Sequence, residues 1–120
     1  MGAIESYRDL MVWKKAMDLA VMVYGLAKGF PKTEMYGLTA QVTRAVTSVP
    51  ANIAEGNARG TRRDYANFLA TAKGSLMEVE TYLFLSIRLG YLSEVETAPA
   101  FSMITEISKM LTVMRAKLLT

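Results

Sequence analysis

The sequence of 120 residues contains no cysteine and no histidine. Without cysteine there is no disulfide, thiol nucleophile or thiolate metal site, and without histidine the commonest metal ligand and general base are absent. The longest charge-free runs have about ten residues, far below the ~18–20 that span a bilayer, and the N-terminus does not read as a secretory signal. We therefore expect a cytoplasmic protein in a reducing compartment, with no membrane partner.

The composition predicts one domain, residues 1–120, because chains of this length form a single core that buries about two-thirds of the unfolded surface. The sequence is 52% hydrophobic, and its mean hydropathy is +0.20. This apolar excess favours an oligomer interface, although an apolar-rich monomer is the alternative. The net charge of +3 is mildly basic and is weak evidence for a polyanionic partner.

Four helices are predicted from the apolar spacing, at about 10–28, 38–58, 62–89 and 94–118. The first helix carries two neighbouring apolar seams, which are wide enough to serve both a core and a neighbouring subunit. The first seam consists of Leu10, Trp13, Met17, Ala20, Tyr24 and Ala27, and the second of Val12, Ala16, Leu19, Val23 and Leu26. Because the connections are short, the fold class is all-α: an up-down-up-down antiparallel four-helix bundle.

Local signals mark most helix ends. Asp9 is expected to cap the first helix and Gly29 to end it in the left-handed conformation. Capping boxes begin the third helix at Thr61 and the fourth at Ser93, and Gly90 ends the third.

Two interior positions depart from regular helix chemistry. Pro50 predicts a bend in the second helix, with a helix that stops at Val49 as the alternative. Gly74 lies in mid-helix at a cost of ~1 kcal/mol relative to alanine, so we expect a close backbone approach there to compensate.

A polar line follows the second helix at steps of three and four residues, beside its core stripe. A free surface usually fills with Lys and Glu, so this mixed line suggests a partner surface: a facing helix, another subunit or a ligand. Antiparallel packing about Gly60 predicts that Arg44 pairs with Glu78 and that Ser48 and Asn52 face small residues near 68–74, in a layer that sets helix register. The predicted structural layer comprises Gln41, Arg44, Ser48, Asn52, Glu55 and Glu78.

A cluster of charged residues follows from the topology. An up-down-up-down bundle brings the start of helix one, the turn between helices two and three, and the end of helix four to the same end. That end collects the candidate nucleic-acid-binding residues Arg8, Arg59, Arg62, Arg63, Arg115 and Lys117, together with the acidic Glu5, Asp9, Glu55 and Asp64. A ring of subunits would repeat this excess on one face and attract phosphates. The alternative is ordinary solubilising charge, with Arg62 and Arg63 paired to Asp64 or Glu55.

Enzyme chemistry has no support in the sequence. Glu78 and Glu80 lie on different faces of a helix, no Glu-x-x-His pair is present, and the glycines are dispersed rather than gathered in a phosphate loop. Only Tyr7 and Tyr65 accompany the basic residues, which argues against a stacking platform for single strands. We expect no catalytic residue, metal, cofactor or small-molecule substrate.

Motifs along almost the whole chain, from about Tyr7 to Leu118, resemble a family of four-helix bundles. The most specific is the run Asn52-Ile53-Ala54-Glu55-Gly56, with Gly74-Ser75-Leu76 downstream. The others include Phe30-Pro31, Tyr36-Gly37-Leu38-Thr39, Arg44-Ala45, Phe68-Leu69 and Leu89-Gly90-Tyr91-Leu92. The family was first recognised as open reading frames inside intervening sequences of bacterial 23S ribosomal RNA genes.

The resemblance implies an up-down bundle that assembles into a ring, most often a homopentamer, without an established enzymatic reaction. A related branch is the accessory protein of diversity-generating retroelements, which is strongly basic and works with a reverse transcriptase and its RNA. The sequence thus predicts a non-enzymatic oligomer with structured RNA as the leading partner. A protein-binding or structural scaffold is the alternative.

Overall fold

The chain folds into four α-helices in a computed structural model that describes residues 6–120. The helices are α1 (Met11–Ala27), α2 (Leu38–Ala58), α3 (Arg62–Arg88) and α4 (Glu94–Leu118). Short 3-10 turns precede α1 and α2, and none of residues 6–120 forms a strand. Each helix contacts its neighbours in chain order, and α1 closes the bundle against α4. The predicted all-α four-helix bundle is confirmed.

The bundle interior is built from one aliphatic stripe per helix. On α1 the second predicted seam faces the core, whereas Met17 and Tyr24 of the first seam are 41% and 48% exposed. One side of α1 is therefore apolar yet uncovered. The fully buried aliphatic side chains include Val12, Leu19, Val23, Val42, Val46, Ile53, Leu69, Leu76, Leu83, Ile104, Ile107 and Leu111.

The side-chain N-caps expected at Thr61 and Ser93 are present at the starts of α3 and α4, as the forward half of each predicted capping box. Thr61 Oγ1 accepts a hydrogen bond from the Asp64 backbone N–H at 3.1 Å, and Ser93 Oγ accepts one from the Glu96 N–H at 3.1 Å. Gly90 follows α3 with a φ of 81°, the left-handed conformation that favours glycine. These ends depend on contacts within a single turn, which is why the sequence reveals them.

The predictions for the two ends of α1 are wrong. Asp9 lies in the 3-10 turn Tyr7–Asp9, and Leu10 occupies the capping position without a side-chain hydrogen bond. Gly29 does not have a positive φ, since Gly90 is the one described residue that does. A tightened last turn, in which the Gly29 N–H donates to the Leu26 carbonyl at 3.0 Å, ends the helix instead.

Helix α2 continues through the buried Pro50 to Ala58. The alternative of a helix that stops at Val49 is therefore wrong. The apolar spacing continues past the proline through the fully buried Ile53, so burial of the second half of α2 offsets the backbone hydrogen bond that proline cannot make.

The close helix approach occurs at Gly56 rather than at Gly74. A Cβ atom added to Gly56 would lie 2.8 Å from Phe68 Cβ and 3.0 Å from Tyr65 Cδ1. A Cβ added to Gly74 would meet no atom within 4 Å. The expectation for Gly74 is wrong because that position faces outward, whereas Gly56 lies in the α2–α3 interface.

Candidate nucleic-acid interface

A short polar layer joins α2 to α3 in the middle of the bundle. Ser48 Oγ and Ser75 Oγ lie 2.9 Å apart. Asn52 Nδ2 donates to the Ser48 carbonyl oxygen at 2.8 Å and to Ser48 Oγ at 2.9 Å. Ser75 is buried and the other two side chains are half-buried, so this layer links the helices through neutral groups.

A second polar contact lies seven residues along each helix. The Tyr82 hydroxyl donates to Gln41 Oε1 at 3.2 Å, and Tyr82 follows Ser75 by the same interval at which Gln41 precedes Ser48. Ser48 therefore faces Ser75, just beyond the small residues 72–74 expected from the turn. Ser75 and Tyr82 were missed as layer residues, although their seven-residue spacing matches that of the α2 line.

The charged members of the predicted layer do not join it. Arg44, Glu55 and Glu78 are exposed, and the one ion pair within residues 6–120 joins Lys15 to Glu106 at 2.5 Å. The predicted Arg44–Glu78 pair is therefore wrong. Both side chains project into water beside the layer, where an ion pair gains little over two hydrated charges.

We call the cluster of six cationic residues the basic end: Arg8, Arg59, Arg62, Arg63, Arg115 and Lys117. Hydrogen bonds join the two helices, α3 and α4, that contribute four of these residues. Arg62 Nη2 donates to the Lys117 carbonyl oxygen at 2.6 Å, and Arg62 Nε donates to the Leu118 carbonyl oxygen at 3.2 Å. Arg115 Nε donates to the Ala66 carbonyl oxygen at 3.2 Å. The start of α3 and the end of α4 are thus joined by two guanidinium groups, one of which also satisfies free carbonyls of a helix C-terminus.

A third guanidinium group is held by an aromatic ring. Arg59 Cζ lies 4.7 Å from the centre of the Phe68 ring, a cation–π contact between the end of α2 and the first turns of α3. Arg63 and Lys117 are exposed, and within the described residues their side chains make no hydrogen bond or ion pair. The predicted pairing of Arg62 and Arg63 with Asp64 or Glu55 is therefore not formed. Glu5 lies outside the described residues.

Each aromatic ring near the basic end already has a protein partner. The Tyr7 ring packs edge-on against Trp13, with 5.3 Å between ring centres. The Tyr65 hydroxyl accepts a hydrogen bond from Asn57 Nδ2 at 3.4 Å, and Phe68 carries Arg59 on one face. Each of these aromatic residues therefore already takes part in a contact between two segments of the bundle.

Glu34, a carboxyl group with a shifted pKa, lies at the end of the bundle opposite the basic end. The Leu38 backbone N–H donates to Glu34 Oε1 at 3.1 Å, and the Tyr91 hydroxyl donates to Glu34 Oε2 at 2.8 Å. The two bonds, the backbone one foremost, lower the pKa of Glu34, and the bond to Glu34 raises the pKa of Tyr91. One carboxylate oxygen of Glu34 accepts from the first residue of α2 and the other accepts from Tyr91, so Glu34 links the α1–α2 connection to the α3–α4 connection.

Residues 6–120 contain no group of three or more acidic side chains placed to hold a metal ion. None of the four helices combines the length and the hydropathy that a membrane span requires, within the residues that the structure describes. Every buried side-chain nitrogen or oxygen atom among the same residues has a hydrogen-bond partner. The described interior therefore contains no unsatisfied polar group that would mark a ligand cavity.

The fold and the motifs define a small four-helix bundle with one cationic end. The chain belongs to the family of 23S rRNA-intervening sequence proteins, whose model matches residues 8–113. A crystal structure of a protein with unknown function from the S23 ribosomal protein family of Bacteroides thetaiotaomicron is similar to it, with a TM-score of 0.81 and 29% sequence identity. That match covers 88% of this chain and 98% of the other. Comparison with curated proteins gives no significant match. Neither the family nor the similar structure indicates an enzymatic activity.

Proposed function

We propose that this protein is a non-enzymatic, cytoplasmic interaction module that binds structured RNA through its basic end. The observation that carries the proposal is the convergence of cationic side chains where the end of α2, the start of α3 and the end of α4 meet. The contacts of Arg59, Arg62 and Arg115 hold three guanidinium groups in this region. The description of the family as 23S rRNA-intervening sequence proteins also favours an RNA partner.

The charge balance of this end favours a polyanion. The basic end contains six cationic side chains and, among the described residues, three acidic ones: Asp9, Glu55 and Asp64. Because no ion pair is formed between the two sets, the cations remain available to phosphate groups. Neutralising several phosphates releases counterions, so affinity should fall steeply with salt.

Self-assembly is the second part of the proposal, because apolar side chains remain exposed on two sides of the bundle. On α1, Val21 is 74% exposed and lies on the same side as Met17 and Tyr24. On α3, Phe84 is 53% exposed. Two different apolar faces suit head-to-tail contacts, which close into rings. We propose a homopentamer, in which the basic end would be repeated around one face.

The assembly is tested by light scattering after size-exclusion chromatography. The unmodified protein should elute as a pentamer, and Val21→Glu or Phe84→Glu should lower its mass, because each places a charge in an apolar contact. A substitution at an exposed polar position, Thr105→Glu, is the control. A monomer at every concentration would contradict assembly.

RNA binding is tested by fluorescence anisotropy, with a labelled RNA hairpin titrated at several salt concentrations. A log–log salt slope of about −3 or steeper would mean that several phosphates are neutralised together. Arg59→Gln and Arg63→Gln should each weaken binding and flatten the slope by about one. Arg88→Gln, an exposed arginine at the other end of the bundle, is the matched control. Absence of binding at low salt would refute the proposal.

A protein scaffold is the alternative function, and one groove favours it. The groove lies between α3 and α4, has a volume of about 620 Å³, and contains the stacked Phe84 and Phe101 rings, whose centres are 4.5 Å apart. This alternative predicts binding to protein partners that is insensitive to Arg63→Gln and is lost with Phe84→Ser. Sensitivity of binding to Arg63→Gln therefore separates the two functions.

A further inference from the structure

We infer that the basic end recognises the phosphate backbone of double-stranded RNA rather than the bases of a single strand. This inference rests on the proposed function and specifies its ligand. Two observations carry it: three guanidinium groups at this end make contacts with the protein, and the aromatic residues beside them already take part in contacts within the bundle.

The held cations form a pre-organised array. Arg62 and Arg115 are fixed by carbonyl oxygens at distances of 2.6–3.2 Å, and Arg59 is fixed over the Phe68 ring. A guanidinium group has five N–H donors. Arg62 uses two of them and Arg115 one in these contacts, so donors remain for phosphate oxygens. Because these contacts restrict the side chains before a ligand arrives, binding costs them less conformational entropy than it costs free side chains.

A rigid array suits a rigid ligand. The two strands of an RNA duplex present phosphates at regular positions, and proteins recognise such duplexes mainly by shape and by backbone contacts. A flexible single strand must lose conformational freedom to match fixed cations. Proteins that bind single strands offset that cost by stacking bases on aromatic side chains, at about 1–3 kcal/mol per base.

The basic end does not offer that compensation. Tyr7 packs against Trp13, Tyr65 is half-buried against Gly56 and bonded to Asn57, and Phe68 carries Arg59 on one face. Exposing one of these rings to a base would break a contact that joins two segments of the bundle. The geometry therefore favours phosphate contacts without base stacking.

The test compares three labelled probes at one low salt concentration: a 20-base-pair RNA duplex, a non-self-complementary RNA single strand of the same length, and the matching DNA duplex. The full chain should bind the RNA duplex about tenfold or more tightly than the single strand. A single strand bound as tightly as the RNA duplex, or a DNA duplex bound more tightly, would overturn the inference. If none of the probes bound, the proposed function itself would fail.

Charge-conserving variants test whether the held guanidinium groups matter. Arg62→Lys keeps the charge but replaces the rigid guanidinium fork, which bonds through Nε and Nη2, by a single ammonium nitrogen on a flexible stem, so duplex affinity should fall several-fold. Arg88→Lys is the matched control, because this exposed arginine lies at the other end of the bundle, and it should bind as the unmodified protein does. Far-UV circular dichroism checks that each variant is folded. If Arg62→Lys is folded and binds the duplex normally, pre-organisation is refuted. Arg59→Lys, which removes the guanidinium group over the Phe68 ring, repeats the test independently.

Discussion

Two glycines on adjacent helices should respond in opposite ways to the same substitution. Gly56 is buried where α2 crosses α3, and Gly74 is exposed on α3. In both cases alanine removes the helix-propensity penalty of glycine, which is worth about 1 kcal/mol. The difference between the two variants therefore reports on packing alone.

The cost at Gly56 follows from the distances. The added methyl group would lie 2.8 Å from Phe68 Cβ and 3.3 Å from the Tyr65 carbonyl oxygen, whereas carbon atoms in contact prefer about 3.5–4.0 Å. Neither of these two neighbours is the end of a flexible side chain, so the helices must separate. Overpacking of this kind costs about 1–3 kcal/mol. We place Gly56→Ala at the upper end, which leaves a net destabilisation of about 1–2 kcal/mol after the propensity gain.

At Gly74 the added methyl group meets no atom within 4 Å. Gly74→Ala should therefore stabilise the protein by up to about 1 kcal/mol. Urea unfolding followed by far-UV circular dichroism, at one protein concentration for all variants, measures both free energies of unfolding. The two variants should differ by about 2–3 kcal/mol. A Gly56→Ala protein as stable as the unmodified one would refute the close-approach argument.

Three further perturbations test the contacts around the bundle. The lowered pKa of Glu34 means that its contribution to stability is present above the ordinary carboxyl pKa and is lost as the pH falls through the lower folded-state value. Tyr91→Phe should raise that pKa towards normal, and an NMR titration of the carboxyl group would measure the change. Ser48→Ala should destabilise the fold by about 1 kcal/mol because it leaves Ser75 unpaired. The double variant with Ser75→Ala should cost less than the two single losses added together, in a double-mutant cycle by urea unfolding. Arg62→Ala should speed amide hydrogen exchange in the last turn of α4, and an unchanged exchange rate there would contradict the role given to its carbonyl contacts.

The helices themselves could be predicted from local chemistry. Apolar spacing and the cap residues Thr61 and Ser93 depend on atoms within one or two turns, so the bounds of α2 and α4 agree with the prediction. The helix-end predictions that were wrong concern the two ends of α1, where two local signals compete. Asp9 and Gly29 are both acceptable end residues, yet the chain forms a 3-10 turn at one and a tightened last turn at the other.

Only the tertiary structure decided which polar residues meet. Antiparallel pairing about Gly60 predicts the height of each residue, but not how each helix is rotated about its axis. Rotation places Ser48 against Ser75 and leaves Arg44 and Glu78 in solvent. It also leaves Met17 and Tyr24 outside the core, although they belong to a seam as regular as the buried one.

The basic end shows the same division. The sequence alone determined that six cations gather at one end, because chain direction in an up-down bundle determines which termini are neighbours. It did not determine that Arg62 and Arg115 donate to backbone carbonyls or that Arg59 covers Phe68. Those contacts join residues up to 56 positions apart, and they depend on the separation and register of packed helices. Local periodicity specifies the helices and their order, whereas the contacts that shape the surface arise only when the four helices pack together.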